Sequence, residues 1–194
     1  MVAGADVLQT GFNSENISLA LELTPAANTS RLFGPHASMP GHRDRSPAEA
    51  ANLQHYLSDT RNPPTMNNHQ AGLSPEALTA NKALGSLFDI LSTNHDRDRN
   101  PFVSTIEGRK YPIFGVQWHP EKNNLEWGLT KKKPYEAINH SPEAVFVSQT
   151  LANFFVGECR RNSHVRSQSL KLFWDYRVSQ ATQPEFEQCY LIPV

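Results

Sequence analysis

The sequence predicts an α/β fold, and three stretches carry that prediction. An apolar run with strand propensity, residues 111–118, ends in the consecutive residues His119, Pro120 and Glu121. Ahead of it, two short apolar segments at 87–94 and 102–107 flank the charged turn 95–100, which is the pattern of an antiparallel hairpin. Behind it, Ser141, Pro142 and Glu143 supply an N-cap, a first-turn proline and an acid near the positive end of a helix.

The remaining elements follow in chain order. Residues 7–23 read as a strand, a turn at 13–16 and a second strand. In that second strand apolar side chains recur at 17, 19, 21 and 23, the alternation of a half-buried strand. Residues 35–61, which follow Gly34, hold three prolines, one glycine and a charged patch with few large apolar groups. They are expected to form a surface insertion with one short helix from Pro47 to Leu57, capped by Ser46. Residues 64–78 read as a connection carrying His69, with a helix start at Ser74, Pro75 and Glu76. In the helix after Ser141, positions 147, 151, 154 and 155 form one apolar stripe expected to pack on a parallel sheet. Cys159 continues that stripe as a small buried hydrophobe. A terminal strand is expected over 186–192.

The 194 residues are about one domain, and composition excludes several function classes. A formal net charge of −1 gives no acidic or basic excess pointing to nucleic acid. The one basic run, Lys131 to Lys133, abuts Pro134 and reads as a solvated loop. Two cysteines are too few for a disulfide framework and lack metal-binding spacing. The P-C-x-x-C partner that a zinc deaminase needs beside H-x-E is absent. No apolar run approaches the roughly 20 residues of a bilayer-spanning helix, so no membrane partner is expected. The first residues lack a basic n-region, and Gly4 and Asp6 break their apolar stretch, so they do not read as a signal peptide. Three N-x-[ST] sequons, at Asn16, Asn28 and Asn139, are weak markers of secretion.

The chemistry concentrates in residues 111–122, YPIFGVQWHPEK. A histidine and a carboxylate at i and i+2 past a buried strand can share one cleft, with proline stiffening the turn between them. That pair is a base and its orienting group. The bland alternative is a histidine satisfied at a strand end and a solvated glutamate.

Gly115 to Glu121 resembles the G-V-Q-[FW]-H-P-E string of the class I glutamine amidotransferase superfamily. Trp118, Lys122 and the continuation 123–127 narrow the resemblance to the folate γ-glutamyl hydrolases, and it extends through most of the chain. The resemblance implies a flavodoxin-like three-layer sandwich, here incomplete and missing its N-terminal strands, in a single partial domain over 1–194. It implies a Cys-His-Glu triad with His119 and Glu121 as two members, His69 near the substrate glutamyl carboxylates, and no metal or cofactor. The implied substrate is a small molecule, a poly-γ-glutamyl folate. Full-length members are lysosomal, vacuolar or extracellular, with a homodimer as one assembly.

The nucleophile of that family sits on a G-x-C-x-G elbow ahead of the histidine. Cys159 and Cys189 both follow His119 and neither has that setting. The chain is therefore expected to be the C-terminal portion of such an enzyme, starting just downstream of the elbow and inactive alone. Two other readings stay open: an amidotransferase-like hydrolase of glutamine or γ-glutamyl amines, and a non-catalytic remnant that binds a ligand or partner.

Overall fold

The computed structural model describes residues 6–36 and 44–164 with their side chains, and the backbone of 178–179 and 189–190. The chain divides into two units, Met1–Arg161 and Asn162–Val194. In the second, β-strands Val178–Ser179 and Cys189–Tyr190 pair antiparallel. The terminal strand expected over 186–192 is seen at these two residues, and its remainder lies outside the described residues.

In the first unit, β1 (Gln9–Leu19) runs unbroken through the region where a turn was expected. Its partner is β3 (Thr65–Gly72), antiparallel, with register irregularities on either side of Ser14. Asn16 at φ 51° absorbs the break as a local kink, and Arg97 donates to the carbonyls of Asn13, Glu15 and Asn16 along it. The short β2 (Glu22–Leu23) then joins β4 (Phe88–His95), β5 (Pro101–Gly108) and β6 (Phe114–Val116) in a four-stranded sheet of order β2-β4-β5-β6. The expected hairpin is β4–β5, and the strand expected at 111–118 is ordered as β6 only at its centre. Every pairing among the described residues is antiparallel, so helices here do not pack on a parallel sheet.

The helices start where their caps dictate. α1 (Pro47–Leu57) has a reciprocal capping box between Ser46 and Glu49. α2 (Pro75–Ala80) is capped by Ser74, and α3 (Lys82–Leu87) by Asn81. After β6 come the single turn α4 (Lys122–Leu125), a hairpin of β7 (Leu129–Thr130) and β8 (Lys133–Pro134), and the long α5 (Pro142–Arg160), whose N-cap Ser141 accepts from Ala144 N–H. Within the stretch expected as a surface insertion, α1 buries Leu53 and Leu57 completely, and Leu21 N–H donates to the Leu57 carbonyl at 2.7 Å.

The core gathers Leu21, Phe33, Leu53, Leu57, Leu91, Trp118, Val147, Leu151 and Phe154. α5 therefore faces inward at 144, 147, 151 and 154. Phe155 and Cys159 are exposed, which corrects the stripe read from the sequence. At 100° per residue, 155 and 159 rotate off the centre of the face defined by 144, 147, 151 and 154.

Candidate active site

Trp118 fixes the site to the core. Its indole is buried and donates to Thr105 Oγ1 at 3.3 Å, while the preceding Gln117 N–H bonds the Ser104 carbonyl at 2.9 Å. β6 is thus sewn onto β5 up to the residue before His119. Phe114 adds an edge-to-face contact with Phe154 of α5, with centroids 4.8 Å apart. The next backbone N–H, that of His119, donates to the Met66 carbonyl of β3 at 2.8 Å. The His119–Glu121 segment consequently leaves the four-stranded sheet and lands against the β1–β3 ribbon.

Within the motif, His119 Nδ1 and Glu121 Oε1 are 2.9 Å apart, and both side chains reach solvent. An ionised carboxylate only accepts, so Nδ1 is the ring nitrogen that donates to it, and Nε2 is the nitrogen this contact leaves unengaged. The arrangement is an imidazole oriented by a carboxylate, the geometry that general-base chemistry uses. Pro120 lies between them, and the chain turns directly into α4.

His69 stands on β3, three residues after the carbonyl that receives His119 N–H. Residues 64–72, read from the sequence as a connection, are largely this strand. Its ring is half-buried against Phe102, with centroids 4.8 Å apart, and Phe12 at 6.4 Å. Burial lowers its pKa below the ordinary histidine value. A hydrogen bond from Nδ1 to the Ala71 carbonyl at 3.0 Å opposes that, the charge of His119 reinforces it, and Asp96 opposes it again. His69 is thus neutral near pH 7, with Nε2 enclosed and without a hydrogen-bond partner. His119 and Glu121 are in contact, and His69 is within electrostatic range of His119.

Sequence reasoning missed the asparagines that tie the site together. Asn123, fully buried two residues after Glu121, donates to the Pro64 carbonyl at 2.9 Å and the Asn139 carbonyl at 2.7 Å. Asn139 in turn donates to Asn62 Oδ1 and the Pro63 carbonyl and accepts from Ser141 N–H, so this sequon's amide is committed to the fold. Asn67 is also fully buried, its amide on the Thr65 carbonyl at 2.9 Å. The local sequence held no signal for the roles of Asn123 and Asn139, since each depends on carbonyl partners far along the chain. Lys122, next to Glu121, reaches Glu126 and Glu136 at 2.6 Å each.

The described thiol does not complete the pair. Cys159 is exposed in the last turn of α5 and makes no hydrogen bond to His119 or Glu121. The Cys189 side chain lies outside the described residues. Among the described residues no group of three or more His, Cys, Asp or Glu is placed to hold a metal ion, and no helix is long and apolar enough to cross a membrane.

No protein-family model matches the chain. Individual relatives do. The chain is 33% identical to the Gamma-glutamyl hydrolase of Homo sapiens over 196 aligned positions, covering 98% of this chain and 55% of that protein. It is 36% identical over 159 residues to Gamma-glutamyl hydrolase B of Dictyostelium discoideum, covering 82% of this chain and 40% of the relative. The Gamma-glutamyl hydrolase of Mus musculus is 36% identical over 164 residues, covering 84% and 45% respectively. The chain spans about half the length of these relatives. With identity at this level across most of its residues, including the motif that holds His119 against Glu121, the chain belongs to the gamma-glutamyl hydrolase family.

Proposed function

We propose that this chain carries the base and orienting carboxylate of a hydrolase that cleaves γ-glutamyl bonds of folate poly-γ-glutamates. The observation that carries the reading is the 2.9 Å hydrogen bond between His119 and Glu121 on a core-anchored motif. In the proposed reaction a cysteine thiol gives its proton to His119 Nε2, and the thiolate attacks the γ-amide carbonyl. Backbone N–H groups stabilise the tetrahedral oxyanion. His119 then passes the proton to the departing amine, leaving a thioester that water hydrolyses with His119 again as base. Glu121 holds the imidazole tautomer and stabilises its cation throughout. His69, neutral and close to His119, contacts the bound glutamyl unit.

The thiol is proposed to come from a G-x-C-x-G elbow that the 194 residues do not contain, in a three-layer amidotransferase-like sandwich to which the described sheet contributes. The exposed place of Cys159 on α5, with no hydrogen bond to His119 or Glu121, supports leaving it out of this role. The 194 residues alone are therefore proposed to be inactive. For the full-length protein we propose a lysosomal, vacuolar or extracellular setting and a homodimer, on the family resemblance.

The test joins the chain to an elbow segment from a γ-glutamyl hydrolase and follows glutamate release from a folate polyglutamate and from glutamine. The chimaera should act on the polyglutamate, with little turnover of glutamine, and the chain alone on neither. Turnover by the pure chain that survives both Cys159→Ser and Cys189→Ser would overturn the proposal. Preference for glutamine would favour an amidotransferase-like activity.

A further inference from the structure

Immediately after the catalytic motif the chain builds an arm from α4, β7 and β8 that the reaction above does not use. Four large apolar side chains on it stand in solvent: Leu125 at 76% exposure, Trp127 at 65%, Leu129 at 68% and Tyr135 at 57%. The indole of Trp127 is nonetheless held. It stacks on the His140 ring with centroids 3.7 Å apart and planes within 13°, and its Nε1 donates to the Asn124 carbonyl at 3.3 Å. His140 is itself tied through Nδ1 to the Asn123 carbonyl at 2.8 Å. A flat aromatic face is thus fixed with much of its surface open, the arrangement that accepts a second ring.

At the tip, β7 and β8 are joined by the two residues Lys131 and Lys132, at φ 50° and 65°. Positive φ at both central residues is the turn for which Asn-Gly is the favoured pair, and lysine adopts it at a strain cost. Lys131, Lys132 and the adjacent Lys133 are exposed and make no ion pair with the described residues. The acids of the arm do not neutralise them, because Glu126 and Glu136 are both taken by Lys122. Three adjacent cations are thus presented on a strained turn, next to a preorganised aromatic face.

The base of the arm is fastened beside the site. Glu136 accepts from the Asn68 amide at 2.8 Å, one residue before His69. Ala137 N–H donates to Asn16 Oδ1 at 2.6 Å, and its carbonyl accepts from Ser18 at 2.7 Å. Lys122, which grips Glu136, directly follows Glu121.

We propose that this arm is a binding site for an aryl group bearing a polycarboxylate tail, with Lys131, Lys132 and Lys133 on the tail carboxylates and Trp127, Leu129 and Tyr135 against the ring. The assignment rests on the γ-glutamyl reading above, which supplies a ligand with both features, and it makes the arm a reader of tail length.

The test titrates the 194-residue chain with p-aminobenzoyl-penta-γ-glutamate and follows tryptophan fluorescence, with Trp127→Phe identifying the reporter. The probe should bind, more weakly as salt rises, and more tightly than p-aminobenzoyl-monoglutamate or a penta-γ-glutamate without the ring. The double variant Lys131→Asn with Lys132→Gly installs the residues the turn prefers, so it should fold at least as stably as the parent. Its affinity for the probe should fall about ten-fold at low salt, two exposed charge contacts having been removed. The readout is binding by the 194-residue chain and not turnover, so a failure of the catalytic proposal is distinguishable from a failure of this one. Unchanged affinity in the lysine variant, equal binding of the monoglutamate, absence of binding, or tighter binding of a single-stranded oligonucleotide would each overturn the assignment.

Discussion

Replacing Glu107 by glutamine should loosen the sheet that carries Trp118 and His119, and the structure sets the size of the effect. Glu107 lies on β5 opposite Phe114 of β6, and its carboxylate is nearly buried. One oxygen accepts from Arg31 N–H at 3.1 Å and Arg31 Nε at 3.3 Å, and the other accepts from Leu32 N–H at 3.1 Å. Glutamine keeps one acceptor oxygen and turns an NH2 toward the other donor. Leaving one buried backbone N–H unpaired costs about 1–3 kcal/mol. Losing the partly exposed ion pair with Arg31 adds about 0.5 kcal/mol, reduced because Arg31 keeps Glu158 at 3.7 Å. The total is about 1.5–3.5 kcal/mol, a large share of the stability of a domain this size. Urea unfolding followed by circular dichroism should show the midpoint falling with the slope m unchanged. A loss below about 0.5 kcal/mol would refute the assignment of Glu107 as the acceptor that closes the 31–33 turn onto the sheet.

Further expectations follow from the same geometry. Because burial lowers the His69 pKa, the unfolded chain takes up a proton there at a higher pH than the folded one, so stability is retained above about pH 6.5 and lost as pH falls toward the folded value. His69→Asn should flatten that part of the stability profile, and an unaltered profile would contradict the neutral assignment. Lys122→Met strands Glu136, which is almost buried, and should cost about 2–3 kcal/mol. Adding Glu136→Gln should return part of that loss in a double-mutant cycle. Cys159→Ser should change stability by less than about 0.5 kcal/mol, since the side chain is exposed, and Cys159 should react with a thiol reagent in the native protein.

Local signals were the most legible part of the sequence. Ser46, Ser74 and Ser141 each precede a proline and cap helices whose first residues were read correctly, because a cap is decided within four residues. The β4–β5 hairpin was equally plain, since its two apolar runs flank a polar turn. What failed depended on distant partners. β1 continues through Asn16 because Arg97, more than 80 residues away, satisfies the carbonyls that the kink releases. β3 is a strand despite its polar sequence because β1 pairs with it and His119 N–H closes on its Met66 carbonyl. Phe155 and Cys159 were read into the apolar stripe of α5, yet they lie off the centre of its buried face and are exposed. Within the site, the i, i+2 spacing of His119 and Glu121 left a solvated pair open, and it was the resemblance of the surrounding residues that favoured the contact seen at 2.9 Å. The asparagine network behind it was not legible, because a buried asparagine reads like any loop residue until its carbonyl partners are known.

The central claim is that His119 is the base and Glu121 its orienter. It is tested most directly by introducing His119→Ala and Glu121→Gln into the active chimaera and measuring kcat and KM on a folate polyglutamate. His119→Ala should lower kcat by about 100-fold or more, and Glu121→Gln by a smaller factor, with KM little changed and the fold intact. Retention of full turnover by His119→Ala would contradict the account.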